Sequence, residues 1–176
     1  TGAFQWAPGE GVSDRFYGAR VAYAAAPLYV GLAYEWNKPR AGGDNTNKSL
    51  SLSANYNFGS FKLLGGLQRN RDLTTTSGNG AAVGVSNLIV TGATTFTMNQ
   101  NDGVTVGVEV PLGQTTIGVN YTRATYKSAA ADEADLGKLA LAARYGLSKN
   151  TFLYAGLSIA TGDLKEHISQ KRVVQL

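Results

Sequence analysis

The chain has 176 residues, no cysteine, 22 glycines and a formal net charge of +4. Charged residues make up only 16% of it, against roughly 25% in average soluble domains, and Gly, Ser, Thr, Asn and Ala fill the gap. This composition excludes a charge-rich disordered chain, a long-helix protein and any disulfide or thiolate-metal framework. The basic residues are scattered, so no nucleic-acid-binding run is visible.

No apolar run approaches the ~20 residues of a transmembrane helix. The signal is instead an alternation of period two, the mark of strands with unlike faces. Thr1–Ala7 and Asp14–Ala24 carry it weakly. In the next segment Leu28, Val30, Leu32, Tyr34 and Trp36 alternate with Tyr29, Gly31, Ala33, Glu35 and Asn37. Lys48–Phe58 is the clearest case, with Leu50, Leu52, Ala54, Tyr56 and Phe58 on one face and Ser or Asn on the other. Phe61–Arg71 follows more weakly. Val104–Val110, Ile117–Thr122 and Lys138–Tyr145 alternate well; Thr151–Ala160 and Lys171–Leu176 complete the series. The count is about ten strands, most near the ~9–11 residues that cross a membrane on a tilt. With no initiator methionine before Thr1 and a strand pattern running to Leu176, the chain reads as mature or incomplete.

The connections alternate in length. Turn-rich short ones lie at Ala25–Pro27, Gly59–Ser60, Leu112–Gln114 and Leu147–Asn150. Long polar ones lie at Lys38–Asn47, Asp72–Asn101, Lys127–Leu136 and Thr161–Gln170; Pro8–Ser13 is the short exception on that side. Asp72–Asn101 is too long for an ordinary connection, and its Leu88-Ile-Val90 run reads as a strand extension or an infolded loop.

Soluble sandwiches and lipocalin-like barrels also alternate, but their strands average only ~5–6 residues. Here the apolar face also carries aromatics near strand ends (Tyr34, Trp36, Tyr56, Phe58, Phe61, Tyr145), where a lipid-interface belt belongs. The expectation is an all-β, transmembrane, antiparallel up-and-down β-barrel occupying residues 1–176 as one partial domain. Its long loops face outward and its short turns the periplasm.

Three segments resemble the general-diffusion porins of the beta-proteobacterial type. They are Gly2-Ala-Phe-Gln-Trp-Ala-Pro-Gly-Glu10, the pair Tyr17–Tyr23 with Pro27–Tyr34, and Tyr145-Gly-Leu-Ser-Lys-Asn-Thr-Phe-Leu-Tyr-Ala-Gly156. The resemblance implies a sixteen-stranded barrel in the outer membrane, a homotrimer, and a chain covering the later strands of it. It also implies that the earlier strands, the constricting loop and the closing aromatic residue lie outside this sequence. About ten such strands would not enclose the channel of a porin by themselves.

The polar parity, expected to line the pore, carries Arg20, Glu35, Lys62, Glu109, Lys138 and Arg144. Arg20 falls mid-strand, the others nearer a rim. A wall charge near a narrowing sets ion preference without blocking the path, so Arg20, helped by Lys138 and Arg144, is expected to bias the pore toward anions. The competing reading is a set of solvated charges paired with Glu35 or Glu109. Arg69, Arg71, Arg123 and Lys127 continue the apolar parity at the long-loop end. There they suit lipopolysaccharide phosphates, or else loop salt bridges with Asp72 or Glu133.

Other chemistry finds little footing. Asp132-Glu-Ala-Asp135 lacks calcium-loop spacing and reads as a solvated loop. Gly42–Asn47 and Ser77–Gly80 precede no helix that would cradle a phosphate. His167, the single histidine, has Ser169 nearby in sequence but no evident triad. The expected function is thus a passive, weakly to moderately anion-selective pore for small hydrophilic solutes, with no enzyme activity, cofactor, metal or nucleic-acid partner. The alternative is a smaller outer-membrane barrel acting as a structural or adhesin-like binding protein.

Overall fold

The computed structural model describes residues 1–7, 15–38, 47–72, 98–128, 133–167 and 171–175. Ten strands appear in it: β1 (Gly2–Ala7), β2 (Arg15–Ala25), β3 (Leu28–Lys38), β4 (Asn47–Asn57), β5 (Lys62–Arg71), β6 (Met98–Leu112), β7 (Thr115–Ser128), β8 (Glu133–Gly146), β9 (Phe152–Thr161) and β10 (Arg172–Gln175). Each pairs antiparallel with the next, in the order β1 to β10, as an up-and-down meander. Among the described residues β1 and β10 do not pair, so the sheet keeps two free edges. The predicted segments Pro8–Ser13, Gly42–Thr46, Ser77–Gly80 and Leu88–Val90, with Asp132 and Ser169, lie outside the described residues.

Register turns ten separate alternations into two continuous faces. Val21 pairs with Leu32, Leu32 with Leu52, and Leu52 with Leu67. The row continues from Leu67 to Val104 and Arg123. Because side chains alternate across a strand, one matched apolar row per strand fixes every other row. A strand of ~11 residues is about 36 Å long and covers about 26 Å when tilted by ~45°, the height of an outer-membrane apolar band.

Tight hairpins hold that register. Ala25 pairs with Leu28 and Leu112 with Thr115, so both loops have two residues. Gly113 turns the second at φ +62°, a backbone region that is cheap for glycine. At Gly59, φ +89°, the Asn57 side-chain oxygen accepts the glycine N–H at 2.9 Å and closes the turn.

The strands bordering the long connections outlast their hydrophobic patterns. β6, β7 and β8 have 15, 14 and 14 residues. Residues 133–135, expected in a loop, belong to β8, and Asp72–Asn101 already contains the start of β6. Hydrophobic alternation stops where the sheet leaves the apolar zone, whereas backbone pairing continues through polar cross-strand pairs such as Thr125 with Asp135. The segment after β9 holds a short 3₁₀ helix, Asp163–His167. Gly162, at φ +91°, carries the chain back against the Asp135 backbone.

Among the described residues there is no conventional core. The apolar face is open, with Leu67 52% and Val106 51% exposed, while burial concentrates on the polar parity, where Asn101 and Thr122 are each 2% exposed. For a sheet in water the cost of so much exposed apolar surface is prohibitive; against lipid it vanishes.

Candidate functional site

The six predicted lining residues share one face. Arg20 sits at the middle of β2, Glu35 late in β3, Lys62 at the start of β5, Glu109 in β6, and Lys138 and Arg144 in β8. Register places them on the parity of Ser49, Ser51, Ser53, Asn55 and Asn57. Only two of the six come together: Lys62 Nζ lies 3.5 Å from Glu109 Oε1. Arg144 lies over the Phe152 ring at 5.7 Å. Arg20, Glu35 and Lys138 make no ion pair or side-chain hydrogen bond among the described residues.

Between these charges the wall is neutral and laced by hydrogen bonds. Gln68 Nε2 donates to Ser49 Oγ at 3.4 Å and to Asn70 Oδ1 at 3.3 Å; Asn70 Nδ2 donates to Asn101 Oδ1 at 3.3 Å. Tyr126, buried on β7, stands directly across from Asn101. Further along the face, Asn120 Nδ2 donates to Thr105 Oγ1 at 2.8 Å and Thr122 Oγ1 donates to Asn120 Oδ1 at 3.1 Å. The two hydroxyls lie 2.8 Å apart, which closes a three-membered ring. Packed against one another on this face, these part-buried groups meet little water, so each finds a neighbour. Reading for charge alone misses them; the signal was the run of Ser, Thr, Asn and Gln on one parity.

A second feature of this face is also written locally in sequence. The Phe16 ring lies over Gly18, and the Tyr29 ring and hydroxyl lie over Gly31. A Cβ at either glycine would meet those atoms at 2.8 and 2.7 Å. The spacing aromatic-x-Gly on one parity lets a ring lie flat along its own strand, which keeps it out of the space in front of the sheet.

On the opposite face, charge is confined to the long-loop end. Arg69 Nε donates to Asp102 Oδ1 at 3.1 Å, and Arg71 reaches the same carboxylate at 2.9 Å. Arg123 pairs with Asp135, which also accepts from Thr125 at 2.6 Å. Lys127 pairs with Glu133 at 3.1 Å and Lys48 with Asp72 at 2.9 Å. All four expected lipopolysaccharide ligands are therefore ion-paired. Lys127 has the partner expected for it, whereas the other three pair with Asp102 and Asp135 across the ladder. The sequence order pointed to loop acids; register brought strand acids closer.

From residue 104 to residue 119, this outer face carries no charge on β6 or β7, and aromatics flank the band. Tyr17 meets Trp36 at 4.8 Å toward the long-loop end; Tyr56, Phe58 and Phe61 follow one another at 4.6 Å at the short-turn end. A charge-free belt between aromatic girdles is what a bilayer requires of a barrel wall.

The profile of the Gram-negative porins matches residues 3–163. The chain belongs to that family. Its place is the bacterial outer membrane, and the family is one of channels rather than enzymes. Among the described residues no group of three or more His, Asp or Glu side chains is placed to hold a metal. No curated protein matches the chain in sequence.

Among the solved structures that share the fold, three illustrate the likeness. An anion-selective porin from Comamonas acidovorans is 22% identical with a TM-score of 0.64, over 99% of this chain and 49% of its own. OmpT of Vibrio cholerae lacking loop L8 is 21% identical with a TM-score of 0.62, over 84% of this chain and 46% of its own. OccK10 of Pseudomonas aeruginosa is 18% identical with a TM-score of 0.57, over 92% of this chain and 52% of its own. The porin chain thus spans about half the length of these structures.

Proposed function

We propose that these ten strands form part of the wall of a closed sixteen-stranded barrel, assembled as a homotrimer, that passes small hydrophilic solutes and prefers anions. Mechanism here is size exclusion plus the field of the wall, with no cofactor and no energy input. A free edge on β1 and on β10 leaves backbone groups that a membrane does not tolerate unpaired, and closure by further strands satisfies them. The similarity in fold to structures about twice as long supports the same reading.

The observation that carries the anion preference is the balance of charge on the polar parity. Four basic residues (Arg20, Lys62, Lys138, Arg144) face two acids (Glu35, Glu109), and one acid is already spent on Lys62. Arg20 remains at mid-strand, exposed and without an ion-pair partner among the described residues. A fixed positive charge beside a water path raises the local anion concentration and lowers that of cations. Single-channel recording of the full-length protein across a potassium chloride gradient tests both parts. A folded, inserted protein that passes no current defeats the pore; a reversal potential on the cation side defeats the selectivity.

The reading extends to the lipid side, where Arg69, Arg71, Arg123 and Lys127 contact lipopolysaccharide phosphates. A shallow groove of about 690 Å³ supports it, floored by Leu32, Leu50, Leu52, Leu67 and Val104 and ended by Arg69 and Arg123. An acyl chain on those leucines brings its headgroup to the arginines. Each cation already has a carboxylate partner, so the phosphate joins an existing pair. Arg69, 64% exposed and sharing Asp102 with Arg71, is the most available. Alanine at Arg69, Arg71 and Arg123 together should lower the lipopolysaccharide that co-purifies; an unchanged amount removes the contact.

A further inference from the structure

The polar parity is built mostly of Gly, Ala, Ser, Thr and Asn; of its aromatics, Phe16 and Tyr29 lie flat over glycines and Tyr126 is buried. Phe152 and Tyr154 break that rule. They point to the polar side of β9, two residues apart, with ring centroids 6.4 Å from each other, and are 54% and 55% exposed. Tyr154 stands directly across from Arg144, whose guanidinium sits 5.7 Å from the Phe152 ring. A strand hydrogen-bonded to the free stretch of β9 lies beside these side chains, in the plane of the sheet, and does not cover them.

Next to this cluster the wall steps back. Gly118, Ala142 and Gly156 form one cross-strand row immediately beyond the level of Arg144 and Tyr154. A Cβ added at Gly118 or Gly156 would meet only a backbone carbonyl, at 3.9 and 3.8 Å, and no side chain. The result is a recess with an aromatic wall on one side and a guanidinium at its edge, close to the short turn 147–150. Its charge partner is missing: Arg144 has a ring against it and no carboxylate among the described residues.

We propose that Arg144, Phe152 and Tyr154 form a subsite for aromatic carboxylates at the short-turn mouth of the pore. The carboxylate takes the guanidinium in paired hydrogen bonds, and the ring stacks on Tyr154 and Phe152 over the glycine recess. The cation–π contact holds Arg144 over the Phe152 ring before the solute arrives, which reduces the ordering cost of binding. Neither half suffices alone. A small aliphatic acid leaves the rings uncovered, and a neutral aromatic leaves the guanidinium unmet. The site rests on the pore reading, because it requires the polar parity to face solute.

The test uses the full-length protein in planar bilayers carrying chloride, with benzoate, acetate or benzyl alcohol added on the short-turn side. Benzoate should reduce the chloride current at concentrations where acetate and benzyl alcohol do not. Phe152→Ser with Tyr154→Ser should weaken that effect about threefold to tenfold, the worth of a stacking contact. Tyr154→Phe should retain it, and Arg144→Gln should erase the advantage of benzoate over benzyl alcohol. Equal action of benzoate and acetate, or an unchanged effect in the double serine variant, overturns the proposal. Saturation-transfer NMR of benzoate on the detergent-solubilised protein separates this from the pore itself. If no current flows, the pore reading fails. Transfer to benzoate with the wild type but not with the double variant then keeps the subsite, and absence of transfer removes it.

Discussion

The Arg71 guanidinium on β5 lies 2.9 Å from both oxygens of Asp102 on β6, the same carboxylate that accepts from Arg69 at 3.1 Å. One acid therefore serves two bases on the lipid-side parity. It stands where the strands leave the charge-free belt, and the long 73–97 segment joins these two strands. Asp102→Asn removes the charge but keeps the shape, leaving two guanidiniums to share an amide. Because the group is partly exposed, the cost should be modest, about 1 kcal/mol. It should show as a lower urea midpoint for refolded protein in lipid vesicles. An unchanged midpoint would mean that solvent or lipid phosphate already satisfies both arginines.

Adjacent residues on β4 offer a direct test of which face meets lipid. Leu52 lies at mid-strand in the row with Leu32 and Leu67, and Ser51 faces the other way beside Ala33 and Gln68. An arginine at the bilayer midplane costs a barrel about 2–4 kcal/mol, whereas in a watery lumen it costs little. Leu52→Arg should therefore reduce folding into vesicles sharply and Ser51→Arg only slightly. The reverse order would mean that the two faces have been assigned the wrong way round.

Much of this was legible in the sequence because the bilayer imposes a simple rule. Leu50, Leu52, Ala54, Tyr56 and Phe58 alternate with Ser and Asn whatever the distant contacts are, and a two-residue hairpin then sets the partner strand. That the six charges share one face was readable for the same reason, since parity alone decides the side. What stayed hidden depends on the neighbour across the ladder. Arg69 and Asp102 are 33 residues apart in sequence, and only register brings them to 3.1 Å. Strand ends were hidden too, because Glu133 and Asp135 look like loop residues until Lys127, Arg123 and Thr125 stand opposite or beside them. Phe152 and Tyr154 were visible as aromatics near a turn, but their exposure on the polar side was not.

Glycines at positive φ divide into two classes, and substitution separates them. Gly113 at φ +62° has open space where a Cβ would go, so Gly113→Ala bears only the conformational cost, about 1 kcal/mol. Gly162 at φ +91° would place its Cβ 2.7 Å from the Asp135 carbonyl oxygen and 3.2 Å from the Gly137 nitrogen. Backbone does not step aside as a side-chain tip does. Gly162→Ala should cost about 2–4 kcal/mol, conformational strain and overlap together, and should loosen the 3₁₀ helix from β8. Matched thermal unfolding of the two variants checks the ordering; equal losses would refute the close approach at Asp135.

The most informative single change for function is Arg20→Glu. Arg20 stands at the middle of β2, and it has no ion-pair partner among the described residues to absorb its field. Reversing it brings the balance of polar-parity charge from two positive to neutral. At a path ~8 Å away in 0.1 M salt, Coulomb's law in water with ordinary screening gives about a two- to fivefold fall in the chloride-to-potassium permeability ratio. A narrower or drier path enlarges the change. Glu35→Gln should move the ratio the other way, since it removes an acid with no ion-pair partner among the described residues. Lys62→Met should behave like a weaker Arg20→Glu, because it frees Glu109 from its partner at 3.5 Å. Reversal potentials in a potassium chloride gradient rank all three. If Arg20→Glu leaves the potential where it was, selectivity is set by residues other than these strands provide, and the wall described here is a neutral support.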